Sequence, residues 1–187
     1  MDAETIVSFL KIANNLKTNV RHCWTKLDRR ESISDHSHRM ILFAWLIKDE
    51  IPDLDMDRLY ELCMWHDIGE AVVGDTPSFL KGEKEEVEEL DATKKLFSSL
   101  PKKQEEELLG IIDEYNAKET LEAKVATALD KLEATLSHNE SDLSTWLELE
   151  KTLNITYAKE AVAGFPIFEE IQEIIAEETR EKIREEN

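Results

Sequence analysis

His66 and Asp67 stand side by side at the end of an apolar helical repeat, and Glu70 follows one turn later. A buried carboxylate is costly unless it is paired or bound to a cation. Two carboxylates beside an imidazole at the edge of a core stripe therefore indicate a metal site or a proton-transfer site. Isolated His-Asp pairs are common in proteins, so this hypothesis needs partner residues elsewhere in the chain.

Two further residues have the right chemistry and placement to be those partners. His36 opens a helical face that continues through Met40 and Ile47, although a histidine in a core stripe is more often a packing residue than a ligand. Asp130 lies beside the strongest apolar stripe of the chain, on a face of small residues that lets another helix or a bound ion approach. Pairing of Asp130 with Lys131 or a nearby arginine is the alternative interpretation.

Together, these residues offer two imidazoles and two carboxylates from three predicted helices: His36, His66, Asp67 and Asp130. Such a nitrogen and oxygen set suits a divalent cation such as Mn, Fe, Co, Zn or Mg, and it lacks the thiolates of a structural zinc site. Four protein ligands would leave positions for water and substrate on an octahedral metal.

The elements that must position these side chains are predicted to be helices. Among 187 residues there are only five Gly and four Pro, and aromatic residues make up 7%. Leu, Glu, Lys and Ala dominate, which favours helix over sheet. The length suits one domain that buries a real core. We therefore predict an all-α fold in a single domain.

Hydrophobic periodicity gives the expected helix bounds. The predicted helices span residues 3–15, 32–50, 56–73, 83–99, 101–115, 120–138, 141–163 and 166–185. Residues 16–33 lack clear periodicity and predict a long ordered loop, and loops of that length in compact domains are often functional. The acidic helix 83–99 is expected to be a solvated cover. Gly74 and Pro77 predict a turn just after Glu70.

The net charge of -19 argues against binding of polymeric nucleic acid, which needs an extended basic face. A small phosphate compound stays possible, because salt confines charge effects to about 8 Å and the local site decides. One basic strip precedes His36, with five basic residues between Lys17 and Arg30 against the single acid Asp28.

Cysteine content and hydropathy bear on the compartment. Cys23 and Cys63 are too few for a disulfide framework and lack metal-motif spacing, so we expect ordinary small apolar residues in a reduced, intracellular protein. No apolar run reaches the roughly 20 residues of a membrane span, and the first residues lack the basic region of a signal peptide. We therefore expect a cytoplasmic protein without a membrane partner.

The order His36, then His66-Asp67, then Asp130 resembles the H...HD...D signature of the HD-domain phosphohydrolases. Longer strings resemble the 5'-deoxyribonucleotidase branch of that family, at residues 31–36, 66–70, 73–75 and 130–133. The resemblance spans roughly residues 16–165. It implies a single helical HD domain over residues 1–187, with a core of about 16–165 and a C-terminal helix over 166–185. It also implies release of phosphate from deoxyribonucleoside 5'-monophosphates, a small-molecule nucleotide substrate, and a homodimer.

The same resemblance implies the metal and its surroundings. Co, Mn or Mg is the expected ion, with Fe, Zn or Ni as alternatives, held by the two histidines and two aspartates named above. Glu70 becomes the general acid or base. Arg21 becomes the phosphate clamp, because a guanidinium can hold two oxygens and neutralise developing charge.

The resemblance also implies substrate contacts. Asp75 is expected to be a catalytic-site residue that recognises the sugar hydroxyls. The following turn of Thr76, Pro77 and Ser78 would present backbone groups to the nucleotide. Similar bacterial members have a Trp directly after the Arg, whereas here His22 follows Arg21. Trp24 matches the Arg-x-x-Trp spacing of the eukaryotic branch. The base is therefore expected to stack on His22 or Trp24.

Two alternatives stay open. One is an HD-domain hydrolase of another nucleotide, such as a triphosphate or a guanosine alarmone. The other is a non-catalytic helical protein that senses a nucleotide or metal, which Glu70 disfavours because a binder has little need of a proton donor. No histidine occurs between His66 and His138, which favours one metal over the two of histidine-richer HD proteins.

Overall fold

The computed structural model describes residues 1–26 and 28–186. The fold is all-α with one small hairpin, which confirms the predicted class. The helices are α1 Ala3–Ala13, α2 Ile33–Leu46, α3 Met56–Trp65, α4 Glu70–Val73, α5 Glu83–Phe97, α6 Lys102–Ala117, α7 Leu121–Glu140, α8 Glu150–Thr156, α9 Lys159–Val162 and α10 Pro166–Glu186. The strands are β1 Val20–Trp24 and β2 Arg30–Ser32, and short 3-10 turns cover Asn14–Lys17 and Leu143–Thr145.

Helix α7 lies at the centre of the fold and packs against α2, α3, α6, α9 and α10. Its stripe of Val125, Leu129 and Leu132 is fully buried, as the periodicity predicts, and meets Met40 of α2 and Leu62 of α3. Burial of this apolar surface is the main driving force for bringing the helices together. Helices α2, α3 and α7 are the ones that carry, or lead into, the predicted metal ligands.

Side-chain caps fix the first turns of those three helices. Ser32 and Asp35 form a reciprocal capping box at the start of α2. Asp55 accepts the Arg58 N–H at the start of α3, and Thr120 accepts the Ala123 N–H at the start of α7. A cap of this kind stabilises a helix by about 1 kcal/mol and sets its first residue, and so fixes where on each helix the site residues fall.

The prediction of a loop over residues 16–33 is wrong. Most of this segment is an antiparallel hairpin in which Val20 pairs with Ser32 and Trp24 with Arg30, through an irregular register. The hairpin is short and half-exposed, so its residues show no apolar alternation from which a strand could be predicted. Leu27, inside the predicted loop, lies outside the described residues.

The prediction of a single helix over residues 56–73 is also wrong, because α3 ends at Trp65 and α4 begins at Glu70. Tighter hydrogen bonds replace the α-helical ones, with the Ile68 N–H donating to Trp65 and the Glu70 N–H to Asp67. Gly69 lies against α5, where a Cβ would come within 3.0 Å of the Glu89 carbonyl oxygen. The chain therefore turns at the HD pair, where the side chains leave the core stripe.

The predicted helix 141–163 is likewise broken, into a 3-10 turn, α8 and α9. Asp142 caps the 3-10 turn by accepting the Ser144 N–H, and Glu150 accepts the Leu147 N–H before α8 begins. These local side-chain bonds compete with a continuous helix. Helix α2 ends at Leu46, four residues before the predicted end.

Helix α5 is more than the solvated cover that was predicted. Its Leu96 and Phe97 are buried with Phe9 of α1, Ile68 and Ile112 of α6 in a second apolar cluster. Cys23 and Cys63 are free, buried thiols. Among the described helices, none combines the length and apolar character needed to cross a membrane.

Candidate active site

The four predicted metal ligands converge at the centre of the fold. His36 Nε2 lies 3.1 Å from Asp130 Oδ1 and 3.9 Å from Asp67 Oδ2. His66 Nε2 lies 3.1 Å from the same Asp67 oxygen. One ligand atom each from His36, His66 and Asp67 lies within 4.8 Å of the others. Side chains separated by up to 94 positions in the sequence therefore surround one point.

The chemistry of this cluster fits a divalent cation. The Nε2 atoms of His36 and His66 are buried and have no hydrogen-bond partner among the described residues. An orphaned buried nitrogen needs an explanation, and a bound ion supplies one. The neighbouring imidazoles outweigh burial and hold the pKa of both Asp67 and Asp130 below the ordinary range. The site therefore presents two ionised carboxylates beside two available nitrogens.

The other nitrogen of each imidazole is held by the protein. His36 Nδ1 makes a short hydrogen bond to Glu133 Oε2, and His66 Nδ1 donates to the Cys63 carbonyl oxygen at 3.1 Å. A hydrogen bond at Nδ1 fixes the ring and its tautomer, which leaves Nε2 free as a ligand. Both rings are thus oriented with Nε2 toward the cluster.

A buried polar network supports His36 from behind. Glu133 is fully buried, and its Oε1 lies 2.8 Å from the Ser137 hydroxyl and 3.3 Å from Arg39 Nε. The Ser137 hydroxyl also lies 2.7 Å from Glu31 Oε1. Burial, together with the charge of Glu133, raises the pKa of Glu31. The network therefore ties the hairpin, α2 and α7 together around one metal ligand.

Tyr115 of α6 orients Asp130, the fourth predicted metal ligand. Its hydroxyl donates a hydrogen bond of 3.0 Å to Asp130 Oδ2, which leaves Asp130 Oδ1 facing His36. Its ring lies against His66, with 5.1 Å between the ring centroids. Tyr115 thus positions two of the four ligands.

A cleft of about 220 Å³ opens beside the cluster. Asp67, Asp130 and Glu70 line it, and so do most of the residues predicted to bind substrate, namely Arg21, His22, Asp75, Thr76, Pro77 and Ser78. Trp24 is not among the described residues that line the cleft. Its indole instead lies beside the Arg30 guanidinium, 5.4 Å from the ring centroid to the guanidinium carbon. Of the two candidate base-stacking rings, the structure brings only His22 into the cleft.

Glu70 is 3% exposed at the first residue of α4. Its Oε2 has no hydrogen-bond partner among the described residues, while its backbone oxygen accepts a hydrogen bond from Asn19 at 2.6 Å. Burial raises the pKa of Glu70, and the negative charges of Asp67 and Asp75 raise it further. The structure thus places a carboxyl group that favours its protonated form next to the cluster.

Arg21 reaches the cleft from β1. Its Nη1 lies 3.6 Å from Asp67 Oδ2, and its Nε lies 3.3 Å from Glu31 Oε2. The side chain is 16% exposed, two carboxylates orient its guanidinium, and Arg21 lines the cleft. A planar cation held in this way can donate hydrogen bonds to two oxygens of a phosphate.

Several residues of the site were not predicted from the sequence. Glu133 and Glu31 fall inside the matched strings 130–133 and 31–36, so their place in those strings was a usable signal. His138 follows Asp130 by eight positions, which puts the two on one helical face. Tyr115 and Glu150 carry no comparable signal, because their roles depend on contacts between distant helices.

Comparison with known proteins places this geometry in a family. A family model described as an HD domain matches residues 13–172. The chain is 35% identical over 143 residues to human 5'-deoxynucleotidase HDDC2, covering 74% of this chain and 69% of the relative. It is 31% identical over 137 residues to 5'-deoxynucleotidase hdd1 of Schizosaccharomyces pombe, covering 69% of this chain and 68% of the relative.

A solved structure from Magnetospirillum magnetotacticum, described as a "predicted metal-dependent phosphohydrolase", superposes with a TM-score of 0.82 at 27% identity. That superposition covers 96% of this chain and 95% of the other. The fold, the two histidines and the two aspartates together define an HD-domain phosphohydrolase. Within that class, the chain belongs to the HD-domain 5'-deoxynucleotidase family.

Proposed function

We infer that this protein is a metal-dependent phosphomonoesterase that releases phosphate from deoxyribonucleoside 5'-monophosphates. One observation carries the inference: the partnerless Nε2 atoms of His36 and His66 meet two ionised aspartates at one end of a cleft. The family membership of the chain narrows the reaction to 5'-nucleotide hydrolysis. Phosphoryl transfer depends on positioning and charge neutralisation, which this cleft can provide.

We propose one divalent cation per chain, with Co, Mn or Mg as the native ion. The donor set of two imidazole nitrogens and two carboxylates suits these metals. His36, His66, Asp67 and Asp130 would hold the cation. When bound, it would supply Lewis acidity toward the phosphoryl group and toward an attacking water.

Arg21 is the proposed phosphate clamp. It lies at the metal end of the cleft, next to Asp67, where a monophosphate would sit. Its guanidinium would orient two phosphoryl oxygens and neutralise charge that develops as the bond to the sugar oxygen lengthens. Glu31 holds the far side of the guanidinium, so little side-chain order has to be gained on binding.

Glu70 is the proposed general acid. Glu70 lines the cleft, and its buried Oε2 has no hydrogen-bond partner among the described residues, which supports a role toward a substrate oxygen. Proton transfer from Glu70 to the departing 5'-oxygen would release the deoxyribonucleoside as a neutral alcohol. Asp75, half-buried in the wall of the cleft, would accept a hydrogen bond from a sugar hydroxyl, and the turn from Thr76 to Ser78 would present backbone groups to the nucleotide.

We further propose that residues 1–187 form one domain, that the protein is cytoplasmic and that it is a homodimer. The exposed apolar residues Leu42, Trp45 and Leu46 at the end of α2 support self-association, because a monomer rarely leaves such side chains clustered in water. The free thiols Cys23 and Cys63 support a reducing compartment.

A substrate panel tests the proposed reaction. Orthophosphate release would be measured from dAMP, dGMP, dTMP, AMP and the matching 3'-monophosphates, after chelation and after readdition of Co, Mn or Mg. We expect metal-dependent release from the deoxyribonucleoside 5'-monophosphates and none from the 3' isomers. Pyrophosphate or triphosphate release from nucleoside triphosphates alone would favour the other hydrolase hypothesis. Tight nucleotide binding without turnover would favour the sensor hypothesis.

A further inference from the structure

The cleft extends along one face of α7, away from the metal ligands. Asp130, Ala134 and His138 all line it, at successive intervals of four residues. Eight residues of α-helix rise by about 12 Å, so Asp130 and His138 mark opposite ends of the cleft. That length is comparable to a nucleoside monophosphate extended from its phosphorus to the far edge of its base. With the phosphate at Asp130, the base would reach His138.

Three titratable side chains form the wall at this far end. Glu150 is 4% exposed, and its two oxygens face two imidazoles. His22 Nε2 lies 3.3 Å from Glu150 Oε1, and His138 Nε2 lies 3.4 Å from Glu150 Oε2. The Leu147 N–H donates to the same Oε2 at 2.6 Å. Although burial opposes ionisation, His138 and the Leu147 amide hold the pKa of Glu150 below its usual range.

The two rings are placed by aromatic neighbours. His138 packs on Trp146, with ring centroids 4.4 Å apart, and His22 meets the edge of Phe79 at 5.8 Å. Both Nε2 atoms are buried, yet neither makes a well-aligned hydrogen bond within the described part of the chain. If Glu150 served only to link α8 to β1 and α7, its contacts would be expected to satisfy both nitrogens, because buried polar groups without good partners are destabilising. Their poor alignment favours a ligand as the missing partner.

We propose that His22, His138 and Glu150 form the nucleobase subsite of the cleft and set the preference among bases. This proposal rests on the proposed function, since it takes a 5'-mononucleotide as the ligand. An ionised carboxylate accepts from the amino and ring N–H groups of a base, and an imidazole can donate or accept at the same edge. A site built to hydrogen-bond a ligand discriminates against analogues that leave its polar groups unpaired. The subsite therefore reads the edge of the base, independently of the phosphate.

The test compares nucleotides with a substrate that lacks a base. 2-Deoxyribose 5-phosphate keeps the phosphate and the sugar of the nucleotide. His138→Phe, which retains an aromatic ring against Trp146, and Glu150→Gln would each be assayed on four deoxyribonucleoside 5'-monophosphates and on the sugar phosphate. The exposed His38 of α2, changed to Phe, is the matched control. Equilibrium binding of each compound would be measured by calorimetry alongside turnover.

We expect kcat/KM for at least one nucleotide to fall about tenfold or more, chiefly through KM, and the order of base preference to change. Values for the sugar phosphate should stay within about twofold of wild type, since no base contact is lost. An equal loss of kcat/KM for the nucleotides and the sugar phosphate, or no change in kcat/KM for either, would overturn the proposed subsite. A wild type that hydrolyses none of these compounds would overturn the proposed function instead. Calorimetric binding would then still test the subsite, which predicts that the variants weaken binding of a nucleotide more than binding of the sugar phosphate.

Discussion

Glu133 and His36 form a fully buried hydrogen-bonded pair between α7 and α2, in which the carboxylate accepts the Nδ1–H of the imidazole. The pair fixes the His36 ring with Nε2 toward Asp67 and Asp130. Burial and the Arg21 charge lower the pKa of His36, but Glu133 and Asp130 together outweigh them and raise it to about 10. Without its partner, the imidazole would lose both its orientation and part of its basicity.

Replacement of Glu133 should therefore weaken metal binding without removing a ligand. We expect Glu133→Gln to raise the Kd for Mn²⁺ by about 10- to 100-fold, the usual effect of losing a carboxylate behind a metal-bound histidine. Calorimetric titration of metal-free protein gives the Kd. Glu140→Gln is the matched control, because Glu140 also pairs with Arg39 but is exposed and distant from His36. An unchanged Kd in Glu133→Gln would contradict this role.

The general-acid role of Glu70 can be separated from a structural one by the choice of leaving group. Glu70→Gln keeps the size of the side chain but cannot transfer the proton, so kcat on deoxyribonucleoside 5'-monophosphates should fall about 10²- to 10⁴-fold. p-Nitrophenyl phosphate releases a phenolate that needs no protonation, so its hydrolysis should be far less affected. Steady-state assays of both substrates would show the difference. Equal loss on both would mean that Glu70 positions other groups and does not donate the proton.

Gly69 allows the chain to turn against α5 at the HD pair. Gly69→Ala would press a Cβ against Thr93 Oγ1 and the Glu89 backbone oxygen, so we expect a loss of about 1–3 kcal/mol in the free energy of unfolding. Gly110→Ala is the matched control, because nothing lies within 4 Å of a Cβ built in the interior of α6. That change should stabilise the protein by about 0.5–1 kcal/mol. Urea unfolding gives both values, and equal stability of the two variants would be the contrary result.

The sequence predicted the helical class and the apolar stripe of α7 because long amphipathic patterns are set by local periodicity. It did not predict the hairpin at β1 and β2, whose strands are short and half-exposed. The end of α3 at Trp65 escaped prediction as well, because the turn there depends on the close approach of Gly69 to α5. Continuous apolar spacing through residues 56–73 gives no sign of that contact.

The residues of the site show the same distinction between local patterns and long-range packing. The motif strings contain the four candidate ligands and Glu70, since each sits at a sequence position that a short pattern can mark. Tyr115 and Glu150 reach the site only through packing of α6 and α8 against other elements, so no local pattern marks them. The sequence could not distinguish His22 from Trp24 as the residue that lines the cleft. In the structure His22 lines it, whereas Trp24 lies beside the Arg30 guanidinium.

The number of Mn²⁺ ions that bind tightly to the metal-free protein tests the central claim most directly. Mn²⁺ bound to metal-free protein would be counted by electron paramagnetic resonance, for wild type and for His66→Ala, Asp130→Ala and the control His38→Ala. Convergence of four ligands on one ion predicts a single tight equivalent in wild type and in His38→Ala, and its loss in the other two variants. Tight binding that survives both His66→Ala and Asp130→Ala, or no tight binding by wild type, would contradict the account.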